Sequence, residues 1–495
     1  MAGKIDIRRG RSYYVRHHMS ITHLTVVLRG RLQDLPRIVA SRWWPFVYWP
    51  ALLLLAIFLK WGHLVNQDEG LTLAGAWQVS LGLQPYRDFY DFITPGSHYL
   101  LAGVFRMFGS TYVVAKVFSL FLLLLSLYGV RRITVRFASG PWSWWPSLLW
   151  LLLSDHYVLI NHNTYALVAA VWAIERALAA AGKTAARWPS WLVAGLLAGA
   201  TVMLHQARGA AVVAAVLWLA LTFGVVPALA VIGGVALALL PLLAWPLPLL
   251  LQSLVAFPFV QYLPFNRTGM TLLGALVGVY LGVVLLSPSR WRDRRWVFLW
   301  GSGVLLLASN FSQADRFHLL PAMFPIGALI ATVAIQRRSR WPALMAASGT
   351  AVLAVISIGF TAHRIASVGV RPFLQLRDPQ LEQLVSRIQQ TVAPQQPIFA
   401  APFLPNLYFE TQRRNPTRFN VLIYRHHPSA FFAAARASLE ADPPPVILLN
   451  YYTTPEGFAT FLLGNPVTDY IRQYYRYAET VNNIQIYRRT VPPTL

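Results

Sequence analysis

The sequence predicts an α-helical polytopic membrane protein of about 11 transmembrane helices, closed by a small C-terminal soluble α/β domain. Three observations carry this expectation. Apolar residues make up 56% of the 495 residues and charged ones only 12%. With a mean hydropathy of +0.48, that is too apolar for an ordinary water-soluble fold. Runs of roughly 20 apolar residues, the length that spans a bilayer core, centre near residues 54, 121, 150, 172, 198, 217, 239, 279, 303, 327 and 351. Lys and Arg gather in short clusters between these runs. The net charge of +24 is therefore a set of topology signals rather than a polar nucleic-acid face, and no nucleic-acid partner is expected. Cysteine is absent, which removes disulfides and thiolate metal sites.

Residues 1–45 are basic and end at the aromatic pair Trp43 and Trp44. They lack a short apolar core followed by a small-residue cleavage site and read as a retained cytoplasmic segment. Residues 46–368 form the transmembrane domain. Its basic connections are RRITVR (131–136), KTAAR (183–187), SRWRDRRW (289–296) and QRRSR (336–340). Alternating spans place all of them with the N-terminal segment on one face, which the positive-inside rule makes cytoplasmic. The connection near Pro227 belongs to that face without carrying charge. An odd number of spans leaves residues 369–495 outside.

This tail has short strand-like runs at 397–402, 445–452 and 483–489, separated by helical patterns at 379–391, 428–441 and 455–474. The alternation suggests a small α/β domain. Without a Gly-rich phosphate loop, metal-ligand spacing or nucleophile elbow, it reads as a lid or recognition module.

The outer connections are acidic. Of the eight acids between residues 46 and 368, Asp68, Glu69, Asp88, Asp91, Asp155 and Asp315 fall in or beside outer loops, and only Glu175 and Asp293 do not. Acids barely influence orientation, so the bias points to function. The first outer loop, 66–111, is the most informative. It opens on Asp68 and Glu69 at the membrane boundary, continues into an amphipathic stretch at 70–82, then places Arg87 and Asp88 among aromatics in QPYRDFYDF. Pro95 and Gly96 break the chain before a short apolar helix. A carboxylate at the water-facing end of a spanning helix is partly desolvated, which raises its pKa toward the range of a general base. Asp68 is the candidate. Glu69 points elsewhere on the helix, toward a sugar, a loop backbone or a metal.

The order of a basic start, one span, an Asp-Glu pair, G-x-x-P-Y-R-D-F, a Pro-Gly step and a short helix ending in Phe-Gly resembles the membrane glycosyltransferases of the GT-C superfamily. The bacterial members similar to protein O-mannosyltransferases and lipid A aminoarabinose transferases are nearest. The resemblance extends to Asp155, to GLLAGATVMLHQARG (195–209), to SQADRFHLLPA (312–322) and to YFETQRRNPTRF (408–419). It implies an inverting transferase that moves a sugar from a polyprenyl-phosphate donor to a hydroxyl of a lipid, glycan or protein acceptor on the outer face. Asp68 then matches the catalytic base and Asp155 the second-loop acid near the acceptor. A Lys found in some members after the YRDF-like segment is missing here, where the sequence reads ITPGSHY.

A departing phosphate needs positive charge aimed at its oxygens. The outward basic residues are Arg87, Lys116, Arg208, Arg267 and Arg316. Arg87, Lys116, Arg208 and Arg316, with Glu69, Asp88, His205, Asp315 and His318, form the expected substrate-binding set. His156, His162, His205 and His318 face outward but lack a ligand motif. No metal residue or cofactor is assigned, and a divalent cation at the acids is not required. The competing reading is a transporter or flippase of lipid-linked sugars. Such proteins concentrate polar groups at the membrane midplane, whereas the charges here collect at one face.

Overall fold

The computed structural model describes residues 42–61, 67–154, 159–182, 188–265, 269–311, 313–337, 340–371, 376, 379–424, 426–450 and 464–490. Met1–Ala51 and Leu52–Leu495 are separate compact units, and all the functional features lie in the second.

In chain order the helices are α1 (Trp44–Lys60), α2 (Gln67–Ser80), α3 (Gly96–Phe108), α4 (Tyr112–Thr134), α5 (Trp145–Leu153), α6 (His162–Ala181), α7 (Trp188–Leu204), α8 (Gln206–Leu221) and α9 (Val225–Leu239). After them come α10 (Leu247–Tyr262), α11 (Met270–Leu286), α12 (Arg294–Ala308), α13 (Arg316–Arg337) and α14 (Arg340–Val368). Each of the expected span centres falls inside one of these helices. Five helical stretches among the described residues are long and apolar enough to cross a membrane: Tyr112–Thr134, His162–Ala181, Val225–Ala244, Phe317–Gln336 and Leu344–Ser367. Further apolar helices, α1, α7, α8, α10 and α11, are shorter. α10 was not expected, because Pro246, Pro248 and Pro258 interrupt its apolar run. The chain accommodates Pro258, which lacks an N–H, with two π-helical turns, Gln252–Ala256 and Pro258–Tyr262.

Local signals set the helix starts. Thr111 caps α4 by accepting from the Val114 N–H at 3.3 Å. Asn161 caps α6 through the Asn163 N–H at 2.8 Å, and Asp293 caps α12 through the Arg295 N–H at 3.0 Å. Glycines set the α7–α9 contact: a Cβ on Gly195 would lie 2.2 Å from the Val231 carbonyl oxygen, and one on Gly234 2.3 Å from that of Leu192. Gly195 and Gly199 form a GxxxG face that lets the backbones touch. Gly195→Val is expected to cost about 3 kcal/mol or more, read as loss of the monodisperse peak in gel filtration with the helix content retained.

Contacts between connections agree with the charge parity. Arg294 donates to the Thr222 carbonyl at 2.7 Å, so the uncharged turn before Pro227 lies beside the basic 289–296 connection. The Arg295 guanidinium comes within 3.8 Å of the Cβ position of Gly182, joining a third connection to the same face. At the other end of the bundle gather residues 68–98, 159–162, 202–208 and 310–318.

The tail contains α15 (Pro379–Thr391), β1 (Ile398–Ala401), α16 (Asn406–Thr411), α17 (Ser429–Ala441), β2 (Val446–Asn450), α18 (Pro466–Tyr474), β3 (Tyr475–Val481) and β4 (Ile484–Arg489). The sheet order is β1-β2-β4-β3, with β1 and β2 parallel and the other pairs antiparallel. β1 and β2 are buried on both faces and read as continuous apolar runs. β3 escaped the sequence reading because it is an exposed edge strand, YRYAETV, with charge where edge strands carry it. Of the helical pattern at 455–474, α18 begins only at Pro466, and residues 451–463 lie outside the described residues.

The tail shares its core with the first outer loop. Leu73 and Trp77 of α2 and Leu101 and Phe105 of α3 pack in one cluster with Leu407, Tyr408 and Phe409 of α16, Leu448 of β2 and Ile486 of β4. Gln78 and Asn420 exchange two buried amide hydrogen bonds, 3.1 and 2.8 Å. At Gly70 a Cβ would meet the Asn406 backbone nitrogen at 2.6 Å, so the residue after the Asp-Glu pair must be small for α16 to seat on α2.

Candidate active site

α2 begins at Gln67, and neighbouring residues on a helix point about 100° apart. That separates the acidic pair. Glu69 turns inward and is 2% exposed. Its Oε1 accepts from the Leu159 and Ile160 N–H groups at 3.1 and 3.2 Å, and its Oε2 from the Tyr112 hydroxyl at 3.1 Å. Lys116, also buried, donates to that hydroxyl at 3.2 Å. The loop backbone, one of the three partners the sequence left open for Glu69, is among the groups it binds. Glu69 thus fastens the end of the second outer loop to α2.

Asp68 faces the other way, only partly shielded, and makes no hydrogen bond among the described residues. Burial raises its pKa above the ordinary carboxylate value, and the charges of Asp315 and Glu69 push the same way, while His318 opposes them. These interactions place Asp68 beside Asp315 and His318, residues brought from the connection between α12 and α13 and the start of α13. Asp315 accepts from the His318 N–H at 2.9 Å and meets His318 Nδ1 at 2.9 and 3.0 Å. Burial alone would raise the Asp315 pKa, but the hydrogen bonds and charge of His318 hold it below the ordinary value.

The far wall is the break between α7 and α8. His205 stands there with extended backbone, φ −166° and ψ 107°. Its ring lies 5.4 Å from that of His162, and burial first, then the Arg208 charge, lower its pKa far below the ordinary imidazole value. Arg208, 1% exposed, donates through Nη2 to Asn310 Oδ1 and to the His318 carbonyl, both at 3.2 Å. It thereby holds α8 to the segment that carries Asp315.

The ITPGS step of loop one docks on the same break. Thr94 donates to the Val202 carbonyl at 2.6 Å, and Gln206 bridges Thr94 N–H and the Phe92 carbonyl at 3.3 and 2.7 Å. His98 Nε2 meets Asp91 at 2.5 Å, and a Cβ on Gly75 would lie 2.4 Å from its ring. Tyr262, at the end of the second π turn, donates to Gln313 at 2.5 Å and packs 5.1 Å from the Phe92 ring. Its phenol feels the charges of both Asp68 and Asp315, so it borders the same space.

Asp68, His205, Arg208, Asp315 and His318 are therefore drawn together. Arg87 and Asp88 are not: Arg87 is 70% exposed and pairs with Asp88 at 3.7 Å, while Asp88 caps a turn through the Gln84 N–H at 2.8 Å. Lys116 serves the Glu69 network. Asp155, His156 and Arg267 lie outside the described residues, as does the Arg316 side chain at the start of α13. Sequence reasoning missed Tyr262, Gln206, Asn310 and the Asp91–His98 pair. A polar residue beside a helix break was the available signal for Gln206. Among the described residues no group of three or more His, Asp or Glu is arranged to hold a metal ion.

Glu410 on α16 was also missed. Its carboxyl is pushed up to about 7 by burial. The unfolded chain titrates this group near 4.5, so the folded state binds its proton more tightly. The resulting stabilisation is complete below about pH 4.5 and is lost as pH rises through about 7. Glu410→Gln is expected to raise Tm more at pH 8 than at pH 5, measured by thermal unfolding at both.

Below the polar centre lies an apolar cavity of about 400 Å³ between α3, α4, α6 and α7, bordered by Leu100, Leu122, Leu125, Tyr165, Trp172 and Leu204. Tyr165, Val168, Ala169 and Trp172 continue the face of α6 that starts at His162, spaced three to four residues apart. Leu204 immediately precedes His205. The histidine pair thus sits at the polar end of an apolar space.

No protein-family model and no curated protein sequence matches the chain. Solved structures do. ArnT from Cupriavidus metallidurans bound to undecaprenyl phosphate, a lipid A aminoarabinose transferase, superposes with a TM-score of 0.59 at 13% identity, over 90% of this chain and 98% of that one. Its apo form gives 0.58 at 14% identity, over 89% and 97%. The match covers most of both chains and shows that this chain shares the ArnT fold.

Proposed function

We propose that the protein is an inverting glycosyltransferase that moves a sugar from a polyprenyl-phosphate donor to an acceptor hydroxyl at the outer face of a bacterial inner membrane, with the tail extracytoplasmic. The observation that carries this reading is Asp68: a partly shielded carboxylate without a hydrogen-bond partner among the described residues, its pKa raised, facing Asp315 and His318 with Arg208 behind them. Such a group is poised to take a proton.

In this mechanism Asp68 accepts the proton of the acceptor hydroxyl as its oxygen attacks the anomeric carbon. The bond from that carbon to the phosphate oxygen breaks with inversion, and the electron pair leaves with the polyprenyl phosphate. Arg208 stabilises the charge that develops on the phosphate. The apolar cavity under His162 and His205 suits a polyprenyl chain, and ArnT, which shares the fold, holds undecaprenyl phosphate. Asp155 is assigned to the acceptor side, where Glu69 secures the residues that follow it. The acceptor itself is a lipid, glycan or protein hydroxyl.

The test is transfer of labelled sugar from a polyprenyl-phosphate sugar by the purified full chain, with the product's anomeric configuration read by NMR. Release of polyprenyl phosphate with an inverted product supports the reading. Movement of intact donor across a vesicle bilayer without bond cleavage overturns it in favour of transport.

A further inference from the structure

The end of the bundle away from Asp68 carries a second polar cluster, built around Glu175, one of the two acids outside the outer-loop set. α4 and α6 run parallel there and back to the active site. Ser119 meets Tyr165 at 2.8 Å, Trp172 Nε1 donates to the Leu125 carbonyl at 3.2 Å, and Arg132 Nε donates to Glu175 at 3.0 Å. Between Tyr112, which binds Glu69, and Arg132 lie roughly 20 residues, or about 30 Å of helix. That is the thickness of a bilayer hydrocarbon core, so the two clusters occupy opposite headgroup layers.

Glu175 has no exposed side-chain surface. It accepts from Arg132 Nε at 3.0 Å, Arg136 Nη2 at 2.7 Å and Arg176 Nε at 2.5 Å. One arginine would neutralise it. Three leave an excess of two positive charges, and these arginines pair with no other carboxylate among the described residues. Their side chains remain 39%, 24% and 36% exposed, so each arginine is fixed by Glu175 and keeps accessible side-chain surface. Positive-inside topology accounts for basic residues at this level but not for a buried acid that organises them. Arg131 lies 3.9 Å over the Trp144 ring, and Tyr128, hydrogen-bonded to Arg132, is 42% exposed, which are interfacial placements.

We propose that Arg132, Arg136 and Arg176, held in place by Glu175, form a binding site for the phosphate of an anionic phospholipid in the headgroup layer opposite the active site. A planar guanidinium presents paired N–H donors that match phosphate oxygens, and basic clusters between helix ends attract anionic headgroups. Free phosphate offers the same oxygens, but a lipid is delivered at this depth by its own acyl chains.

The test uses the full chain reconstituted with equal phosphatidylglycerol and phosphatidylcholine, delipidated in steps and read by native mass spectrometry. Preferential retention of phosphatidylglycerol is expected, with a loss of about 30-fold in Arg132→Gln/Arg176→Gln. Glu175→Gln separates organisation from charge: it makes the cluster more positive yet frees the guanidiniums, and retention is expected to fall. Equal retention of the two lipids, or unchanged retention in the double variant, overturns the proposal. So does displacement of the lipid by millimolar inorganic phosphate. Should the double variant fail to fold, the wild type decides, because retention must fall with rising salt and salt-independent retention sinks the site.

Discussion

Asp68→Asn is expected to slow sugar transfer by about 100- to 10,000-fold, the range that a positioned general base supplies, while leaving donor affinity nearly unchanged. The substitution is clean because Asp68 accepts no hydrogen bond from the described residues that Asn would forfeit. It also removes a charge that burial disfavours, so Tm should hold or rise. A variant that lost activity together with Tm would point to misfolding instead, and unchanged transfer would remove Asp68 from the mechanism. The pH profile gives an independent check. The base works only when deprotonated, so kcat should fall as pH drops through a pKa above the ordinary carboxylate value. Asp315 contributes to that elevation. Asp315→Asn should therefore move the acid limb to lower pH.

Arg208→Gln is expected to reduce kcat by about 100- to 1,000-fold, the cost of removing one aimed electrostatic group from a shielded site. Arg208→Lys should recover only part of the loss, because an ammonium keeps the charge but not the planar guanidinium whose Nη2 donates to both Asn310 and the His318 carbonyl. Asn310→Ala separates the two roles. It cuts the anchor and leaves the charge, so it should lower kcat by far less than Arg208→Gln. Equal losses in the two variants would make Arg208 a brace for α13 rather than a phosphate group. Single-turnover kinetics with a labelled donor resolves these cases.

The spans were legible because length and apolarity are local properties: every expected centre fell within a helix, even where the helix was short. The acidic pair was legible as a motif, and α2 explains why its members differ, since consecutive helical positions cannot face the same partner. The substrate set was legible only in part. Arg87 lies among aromatics in sequence, yet Tyr86, with φ +68° and its hydroxyl on the Ile93 carbonyl at 2.6 Å, turns the chain so that Arg87 points to solvent. No pattern in QPYRDFYDF announces that turn. Tyr262 was hidden by prolines, and the π turns they impose decide where its ring goes. Asn310 and Gln206 are ordinary polar residues at helix ends whose partners lie more than 100 residues away. Pairings of that range follow from the fold and have no local signature. Glu410 was hidden similarly: its carboxyl is perturbed by burial, which depends on packing rather than on local pattern.

The common core of the tail and the first loop fixes an order of events during synthesis. Gln78 leaves the ribosome early, whereas Asn420, its amide partner, follows 342 residues later. Until the last strands have been made, Leu73, Trp77 and Phe105 have no sheet to cover them, and α2 cannot settle Asp68 in its final place. The chain therefore inserts first and becomes competent last, and a nascent protein stalled before β1 would hold its spans without a finished centre.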